Sequence, residues 1–428
     1  MIRSSQNQIQ DRAILVGVVM PGMRRGQTLD YMDELALLAD TAGAKVVGRE
    51  VQEIRSIHPA FFIGTGKVGQ IARKASELNA TVILFDEDLT PVQAKNLEKE
   101  IKKRIVDRSG LILDIFARRA RTKEAQTQVE LAQLEYLLPR LTRQWTHLER
   151  QEGAIGTRGP GETQLETDRR IIRKRIGILK NELKRIELQR GVRRKRREAF
   201  LKVALVGYTN AGKSTLLNAF TKSDALVEDR LFATLDATIR LFPAGRHEKA
   251  VMIDTVGFIR KLPPNLVASF RSTLEETVES DLLVHVIDAS HPQFEDQLDT
   301  VHQILRELGI GEKPILMVFN KIDLLINREL PTRIRQKFPD VLFVSALRGI
   351  GLETLRQTIV DRLESQMETL DLRIPLECPE LIAAVHAAAE VVEKQYEDGF
   401  AMLRCRASKP AAARIREMLL EGGNPCAS

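Results

Sequence analysis

The chain has 428 residues, with 65 Lys and Arg against 58 Asp and Glu, a formal net charge of +7. At about 150 residues per domain, this length corresponds to about three domains. Hydrophobic residues make up 43% of the chain, which is enough for buried cores and excludes a wholly disordered protein. The 3 cysteines are too few for a disulfide framework, and their spacing excludes a zinc site.

No apolar run reaches the roughly 18 residues of a membrane-spanning helix, so none is predicted. The first apolar run, from Ala13 to Val19, is too short for a signal peptide and predicts a strand. We therefore expect a cytoplasmic protein, with any association with membranes arising through partners.

Positive charge is concentrated in one segment. Between Arg169 and Arg197 there are 14 Lys and Arg but only two acids, Glu182 and Glu187, so the local excess is larger than the charge of the whole chain. Clustered Lys and Arg gain affinity for a polyanion by releasing its condensed counterions, and nucleic acid is the simplest such partner. A solvated helix face remains an alternative, and a membrane surface is a weaker one.

Residues 1–110 alternate short apolar runs with helical periodicity, which predicts a parallel sheet covered by helices. Strands are predicted at 13–19, 45–51 and 81–85, and helices at 28–41 and 67–78. Thr90, Pro91 and Gln93 together predict a capped helix start. The glycine-rich segment 64–69 lacks the spacing of a phosphate-binding loop, so an ordinary turn into a helix is favoured.

Residues 111–198 predict a long antiparallel helical hairpin. Its two heptad seams comprise Leu131, Leu134, Leu138, Leu141, Trp145 and Leu148, then Ile172, Ile176, Leu179, Leu183 and Ile186. Pro139 is expected to kink the first helix. Thr163 and Glu166 form a capping-box pattern that predicts the start of the second. The glycine-rich tip between them, residues 153–161, carries Arg158. It is either a flexible connector or a tip that approaches RNA closely.

Residues 199–366 contain a phosphate-binding motif. A predicted strand at 202–206 is followed by Gly-x4-Gly-Lys-Ser and then by a helical segment, which is the setting that this loop requires. Its glycines let backbone N–H groups surround phosphate oxygens, and the helix N-terminus adds positive potential. We predict that Lys213 contacts the β- and γ-phosphates and that Ser214 binds Mg²⁺. The predicted nucleotide contacts here are Gly207, Tyr208, Thr209, Asn210, Ala211, Gly212, Lys213, Ser214 and Thr215.

A second motif, Asp-x-x-Gly, follows the apolar strand that ends at Asp254. We predict that Asp254 holds Mg²⁺ through water and that the Gly257 N–H meets the γ-phosphate. Between the two motifs, Thr234 is the predicted switch threonine that binds Mg²⁺ and the γ-phosphate in the GTP state, in preference to Thr238. Lys213, Thr234 and Gly257 are thus the predicted catalytic residues.

Two further motifs select the base. Asp323 offers a carboxylate to the N1–H and exocyclic amine of guanine, whereas adenine presents the wrong donors. Asn320 is predicted to reach N7 and Lys321 to cover the ring. The backbone of Ser345, Ala346 and Leu347 is predicted to contact O6. Four motifs, each at the C-terminal end of a strand, make coincidence negligible and predict a guanine-nucleotide site.

The position after Asp-x-x-Gly is Phe258, where many GTPases place the glutamine that orients the attacking water. We therefore expect hydrolysis to be slow without an activating partner, even against the ~10⁻⁴ s⁻¹ of a switch GTPase. Asn210 is compatible with a K⁺ ion that bridges the phosphates, or with local hydrogen bonding of the loop. Residues 367–428 predict a small α/β domain, with strands at 370–376 and 400–406 and helices at 379–396 and 411–420.

These motifs, together with several upstream, resemble the HflX-type GTPases of the Obg–HflX superfamily over residues 10–366. The upstream matches are Phe62-Ile-Gly-Thr-Gly-Lys67, Asp107-Arg-Ser-Gly-Leu-Ile-Leu-Asp-Ile-Phe116, Gln128-Val-Glu-Leu-Ala-Gln133 and Gly159-Pro-Gly-Glu-Thr-Gln-Leu-Glu166. Ala237 departs from the family, which usually has proline there. The C-terminal domain matches least.

The resemblance implies a multidomain α/β GTPase that uses GTP, GDP and Mg²⁺, binds the large ribosomal subunit and splits stalled ribosomes. The basic hairpin at 158–197 would then contact rRNA. Two alternatives remain: a factor for large-subunit assembly, and a regulatory GTP-binding module that acts on a protein partner. A hairpin that buries its own seam favours a monomer.

Overall fold

The computed structural model describes residues 10–141, 160–195, 201–221, 231–235, 237–244, 247–261, 276–311, 313–327 and 329–421. The chain divides into two compact units. The first unit comprises Met1–Arg185, Glu228–Asp236 and Lys261–Arg271. The second unit comprises Ile186–Val227, Ala237–Arg260 and Ser272–Ser428.

The first unit is built on a parallel four-stranded sheet in the order β2-β1-β3-β4, which confirms the predicted architecture. Its strands are β1 (Arg12–Val19), β2 (Lys45–Glu53), β3 (Val82–Phe85) and β4 (Arg104–Asp107). Its helices are α1 (Arg25–Thr41), α2 (Thr65–Glu77), α3 (Pro91–Ile101) and α4 (Arg108–Arg119). The central strands β1 and β3 are almost wholly buried, as expected for a sheet with helices on both faces.

Local sequence signals in this unit act as predicted. Thr90 caps α3 in a complete capping box with Gln93, and Pro91 is its first residue. The glycine-rich segment 64–69 is the turn into α2, and its Lys67 forms an ion pair with Glu50 at 2.5 Å. Segment 64–69 is therefore structural. The periodicity of the sequence did not predict the short strand β4 or the helix α4 that follows it.

Helices α5 (Lys123–Leu137) and α6 (Pro160–Lys195) form the described part of the hairpin. Three ion pairs join them: Lys123–Glu182 at 2.9 Å, Glu130–Arg175 at 2.7 Å and Glu135–Lys180 at 2.8 Å. The predicted seam of α6 is its least exposed face, and Leu179 is only 1% exposed. The pairs Lys123–Glu182 and Glu130–Arg175 follow antiparallel order and Glu135–Lys180 does not, so the antiparallel hairpin stays a prediction.

Two local predictions in the hairpin are wrong. Helix α5 ends at Leu137, so Pro139 follows the helix instead of kinking it. Helix α6 begins at Pro160, three residues before Thr163, because proline is favoured in the first turn, where no amide donor is needed. The seam beyond residue 141, residues 153–159 of the glycine-rich tip and Arg158 lie outside the described residues.

The second unit contains a six-stranded sheet in the order β10-β9-β8-β5-β7-β6, parallel except for the β6–β7 pair. Its strands are β5 (Leu201–Gly207), β6 (Thr238–Ala244), β7 (His247–Asp254), β8 (Leu282–Asp288), β9 (Ile315–Asn320) and β10 (Leu342–Phe343). Its helices are α7 (Lys213–Thr221), α8 (Phe294–Glu307), α9 (Leu330–Lys337) and α10 (Leu352–Ser365). Separate hydrophobic cores cover the sheet, and all four predicted nucleotide motifs follow its strands.

The C-terminal region, also in the second unit, is an antiparallel sheet in the order β11-β13-β12. It comprises β11 (Met367–Pro375), α11 (Pro379–Ala388), β12 (Glu390–Glu397), β13 (Phe400–Ser408) and α12 (Lys409–Glu421). The predicted helix over 379–396 is wrong beyond Ala388, where valine-rich sequence pairs with β13 as a strand. Among the described residues, no helix has the length and apolarity needed to cross a membrane.

Candidate functional site

The phosphate-binding loop connects β5 to α7 through two glycines that no other residue can replace. Gly207 has φ +153°, and a Cβ there would lie 2.2 Å from the Val286 carbonyl oxygen. Gly212 has φ +93°, and a Cβ there would lie 2.3 Å from the Asn320 amide nitrogen. Both residues adopt conformations that L side chains avoid, which explains why the motif requires glycine at these positions.

Lys213 is the buried cation of this loop, only 6% exposed. Its Nζ donates to the carbonyl oxygens of Gly207 at 3.1 Å and Tyr208 at 2.7 Å. Burial lowers the pKa of Lys213 to about 8; the nearby Asp254 carboxylate opposes this shift, and Lys321 adds to it. Phosphate oxygens bound in the loop would stabilise the charged form of this lysine.

Ser214 and Asp254 meet as predicted for a magnesium site. The Ser214 hydroxyl donates to Asp254 Oδ2 at 2.6 Å, and Asp254 is 1% exposed at the end of β7. A hydroxyl oxygen beside a carboxylate oxygen is the type of donor set that Mg²⁺ prefers. The residues therefore fit the ion.

The Asp-x-x-Gly segment lies directly against the phosphate-binding loop. The Phe258 N–H donates to the Gly207 carbonyl at 3.0 Å, and the Thr209 N–H donates to the Phe258 carbonyl at 2.8 Å. A Cβ on Gly257 would lie 2.8 Å from Thr209 Cα, so only glycine permits this approach. The Arg260 N–H donates to the Tyr208 hydroxyl at 2.8 Å. Phe258, 2% exposed, thus has a packing role that its position in the motif did not reveal.

Asn320 connects two loops of the site. Its amide nitrogen donates to the Ala211 carbonyl at 2.9 Å, and its Oδ1 accepts from the Ala346 N–H at 2.9 Å. The sequence predicted that Asn320 reaches guanine N7, whereas in the structure both of its polar atoms bind protein groups. The amide nitrogen carries a second hydrogen that can still donate to guanine N7, so this contact stays a prediction.

Lys321 and Asp323 follow directly after β9. Lys321 has φ +63°, and its Nζ forms an ion pair with Asp288 at 2.7 Å. Asp323 is exposed in a 3₁₀ turn, Ile322–Leu324. Asp288 was missed by the sequence analysis, although its place at the end of β8 is the type of signal that identified the other motifs.

The third loop follows β10. Ser345 is fully buried, and its hydroxyl accepts from the Arg348 N–H at 3.1 Å. Ala346 contributes the N–H bound by Asn320, while the Leu347 side chain is 75% exposed. The structure therefore holds this loop in a fixed conformation through its own polar groups.

The remaining predicted residues lie in different places. Asn210 adopts a left-handed conformation with φ +61°, and Thr215 lies in the first turn of α7. The Thr209 hydroxyl is buried, with no hydrogen-bond partner among the described residues. Thr238 begins β6 opposite Asp254 in the β6–β7 pair, whereas Thr234 belongs to the first unit. The assignment of Thr234 as the switch threonine stays a prediction.

Family comparisons cover most of the chain. Residues 29–117 match the model described as GTP-binding GTPase N-terminal, and residues 119–197 match GTP-binding GTPase Middle Region. Residues 202–321 match 50S ribosome-binding GTPase. The chain is similar to a protein of known structure, a GTP-binding protein from Sulfolobus solfataricus in complex with GDP. The two share 28% identity over 82% of this chain and 98% of that one, with a TM-score of 0.44.

Relatives at higher identity span nearly the whole length. The chain is 42% identical to GTPase HflX of Escherichia coli, over 92% of this chain and 93% of that protein. It is 42% identical to GTPase HflX of Magnetococcus marinus over 96% and 95%, and 53% identical to that of Flavobacterium psychrophilum over 73% and 76%. With a guanine-nucleotide site assembled at the strand ends and these relatives, the chain belongs to the HflX family of GTPases.

Proposed function

We propose that this GTPase binds the large ribosomal subunit and dissociates stalled or idle ribosomes, with GTP binding gating docking and hydrolysis driving release. The observation that carries the proposal is the union, in one chain, of a guanine-nucleotide site and a long, exposed, basic helix. The match to a family described as 50S ribosome-binding GTPase supports the same partner.

Helix α6 is the proposed rRNA contact. Its 36 residues correspond to about 54 Å at 1.5 Å per residue, long enough to follow a nucleic-acid backbone over several phosphates. Arg173, Lys174 and Lys184 are exposed on it, and ion pairs of Arg175, Lys180 and Glu182 join it to α5. Positive side chains on one fixed face supply the sequence-independent part of RNA affinity.

The site residues define the proposed chemistry. Lys213 would bind the β- and γ-phosphates, and the Gly257 N–H, already close to the phosphate-binding loop, would donate to the γ-phosphate. Ser214, Thr234 and Asp254, the last through water, would hold Mg²⁺, which when bound neutralises phosphate charge. Asn210 would face a K⁺ ion. Because Phe258 cannot orient a water molecule, activation by the ribosome would complete the site.

GTP turnover tests the proposal directly. We expect strong stimulation by purified large subunits, and a further increase in KCl relative to NaCl if K⁺ binds beside Asn210. The variant Lys213→Ala should bind subunits without regard to nucleotide. If subunit binding by this variant stays nucleotide-sensitive, the gating model is wrong. If subunits stimulate turnover in neither salt, a protein activator must be sought.

The basic segment supplies the second test. Replacing Arg193, Arg194, Lys195, Arg196 and Arg197 by Ser should abolish subunit binding while GTP binding persists. If the variant retains its cellular role, the regulatory module acting on a protein partner is favoured instead. Sedimentation separates the other alternative, because splitting consumes assembled ribosomes whereas an assembly factor accompanies immature large subunits.

A further inference from the structure

The N-terminal sheet has a topological switch point at the carboxyl ends of its two central strands. Strand order reverses between β1 and β3, and the loops that leave the carboxyl ends of these strands run in opposite directions. Such a switch point is the usual ligand position in this architecture. Here the loop after β3 begins with three acids in succession, Asp86, Glu87 and Asp88.

The acidic loop is held by a buried arginine. Arg108, at the start of α4, is fully buried and donates to Asp86 Oδ1 at 2.8 Å. The same guanidinium binds Glu34 of α1. One cation therefore serves two carboxylates, and Asp86 is only 3% exposed. With Glu87 added, three acidic side chains meet at this switch point, and a second cation pairs with two of them.

That second cation is Lys261, which belongs to the same compact unit. Its Nζ forms an ion pair with Glu87 and lies 3.8 Å from Asp86 Oδ2. The Lys261 side chain is 31% exposed and that of Glu87 15%, so the pair is partly shielded from solvent. The Lys261 backbone is left-handed, with φ +54°, a conformation that is unfavourable for lysine and needs outside contacts to persist.

A second segment shows the same pattern. Phe232 also has a left-handed backbone, with φ +56°, and is 2% exposed. Its ring packs edge-on against Phe116 of α4, with centroids 4.6 Å apart. Phe232 lies two residues before Thr234, and Lys261 lies four residues after Gly257. Both anchors thus flank predicted γ-phosphate contacts along the chain.

We propose that Lys261, seated on Asp86 and Glu87, is a positioning residue that favours the binding of GTP over GDP. The switch point of the N-terminal sheet is thus occupied by a lysine of the chain itself. Gly257 is held against the phosphate-binding loop, where its N–H can reach a γ-phosphate. An anchor four residues later reduces the freedom that this segment would lose when GTP binds. GDP lacks the γ-phosphate and gains nothing from the anchor.

The test measures affinity for GDP and for a non-hydrolysable GTP analogue by fluorescence titration, without ribosomes. Lys261→Met should lower the ratio of analogue affinity to GDP affinity by about fivefold or more, the lower range of measured couplings between sites. Lys261→Arg should keep the affinity ratio of the wild type. Glu87→Lys should lower it, and the exchanged pair Glu87→Lys with Lys261→Glu should recover it. The matched control is Lys180→Met, which breaks a Lys–Glu pair of the same unit that involves no predicted nucleotide contact.

An unchanged affinity ratio in both Lys261→Met and Glu87→Lys would overturn the proposal. Equal losses of GDP and analogue affinity would also overturn it, because they would indicate general damage to the site. A ratio that the exchanged pair fails to recover would overturn the specific pairing with Glu87. Since ribosomes are absent from the assay, none of these outcomes depends on ribosome binding.

Discussion

Nucleotide binding should be coupled to proton uptake at Lys213. Burial lowers the pKa of this group from 10.5 to about 8. The shift corresponds to about 3 kcal/mol against the charged form, at roughly 1.4 kcal/mol per pKa unit. Bound phosphate oxygens favour the charged form and therefore raise the pKa again. Between the two pKa values, binding must take up a proton.

The pH dependence is set by the fraction of Lys213 that is neutral in the free protein. At about pH 7 the Lys213 amine is already protonated in the free protein, so binding takes up little. At about pH 9 most of it is neutral, and GDP affinity should be about tenfold lower than at pH 7. Calorimetry at about pH 8.5 in two buffers of different ionisation enthalpy should detect more than half a proton taken up per GDP bound.

The control is Lys213→Gln, which keeps a polar side chain but cannot titrate. Any pH dependence that remains in this variant belongs to the nucleotide or to other groups and is subtracted. If wild type and variant show the same proton uptake and the same pH dependence of GDP affinity, Lys213 does not titrate in this range. The reasoning from its burial would then be wrong.

Three further predictions concern other parts of the second unit. Asp323→Asn should change the base selectivity from guanine to xanthine, since the amide can donate to the O2 of xanthine. Competition between GDP and XDP measures this selectivity, and a retained preference for GDP would contradict the role of Asp323. Gly212→Ala should weaken both GDP affinity and guanine selectivity, because the new Cβ would displace the Asn320 amide. The matched control is Gly309→Ala in an exposed loop, where φ is also positive, +74°, but a Cβ would have no atom within 4 Å. Burial lowers the pKa of His285 from 6.5 to about 3, so the unfolded state binds the proton first and stability falls as pH drops below about 6.5. His285→Leu should reduce the acid-side slope of the free energy of unfolding against pH by up to roughly 1.4 kcal/mol per pH unit, as measured by denaturant unfolding; an unchanged slope would contradict this role.

The nucleotide motifs could be predicted from sequence because their chemistry is local. The spacing from Gly207 to Ser214 requires a strand, a loop and a helix in immediate succession, and the structure has β5 and α7 there. Thr90 and Gln93 are equally local, and their capping box is present. Such signals depend on neighbours a few residues away, which the sequence displays directly.

Features that depend on distant partners could not be predicted. Asn320 lies in a recognisable motif, yet its partners Ala211 and Ala346 are brought to it only by the fold. Arg108 is fully buried because Asp86 and Glu34 surround it, and an arginine in a helical run carries no sign of that burial. The prediction of a helix over the residues of β12 was wrong because helical periodicity and strand pairing compete there, and pairing with β13 decides the outcome.

The amide of Asn320 should couple recognition of the base to recognition of the phosphates, because it binds both the Ala211 carbonyl and the Ala346 N–H. A single planar side chain holds the phosphate-binding loop by one end and the base-binding loop by the other, so neither loop can shift without disturbing its partner. Fragments of the ligand should then help each other: guanosine should bind more tightly when pyrophosphate occupies the other half of the site. The intact guanine nucleotide, which occupies both halves of the site, should then bind more tightly than its separate fragments.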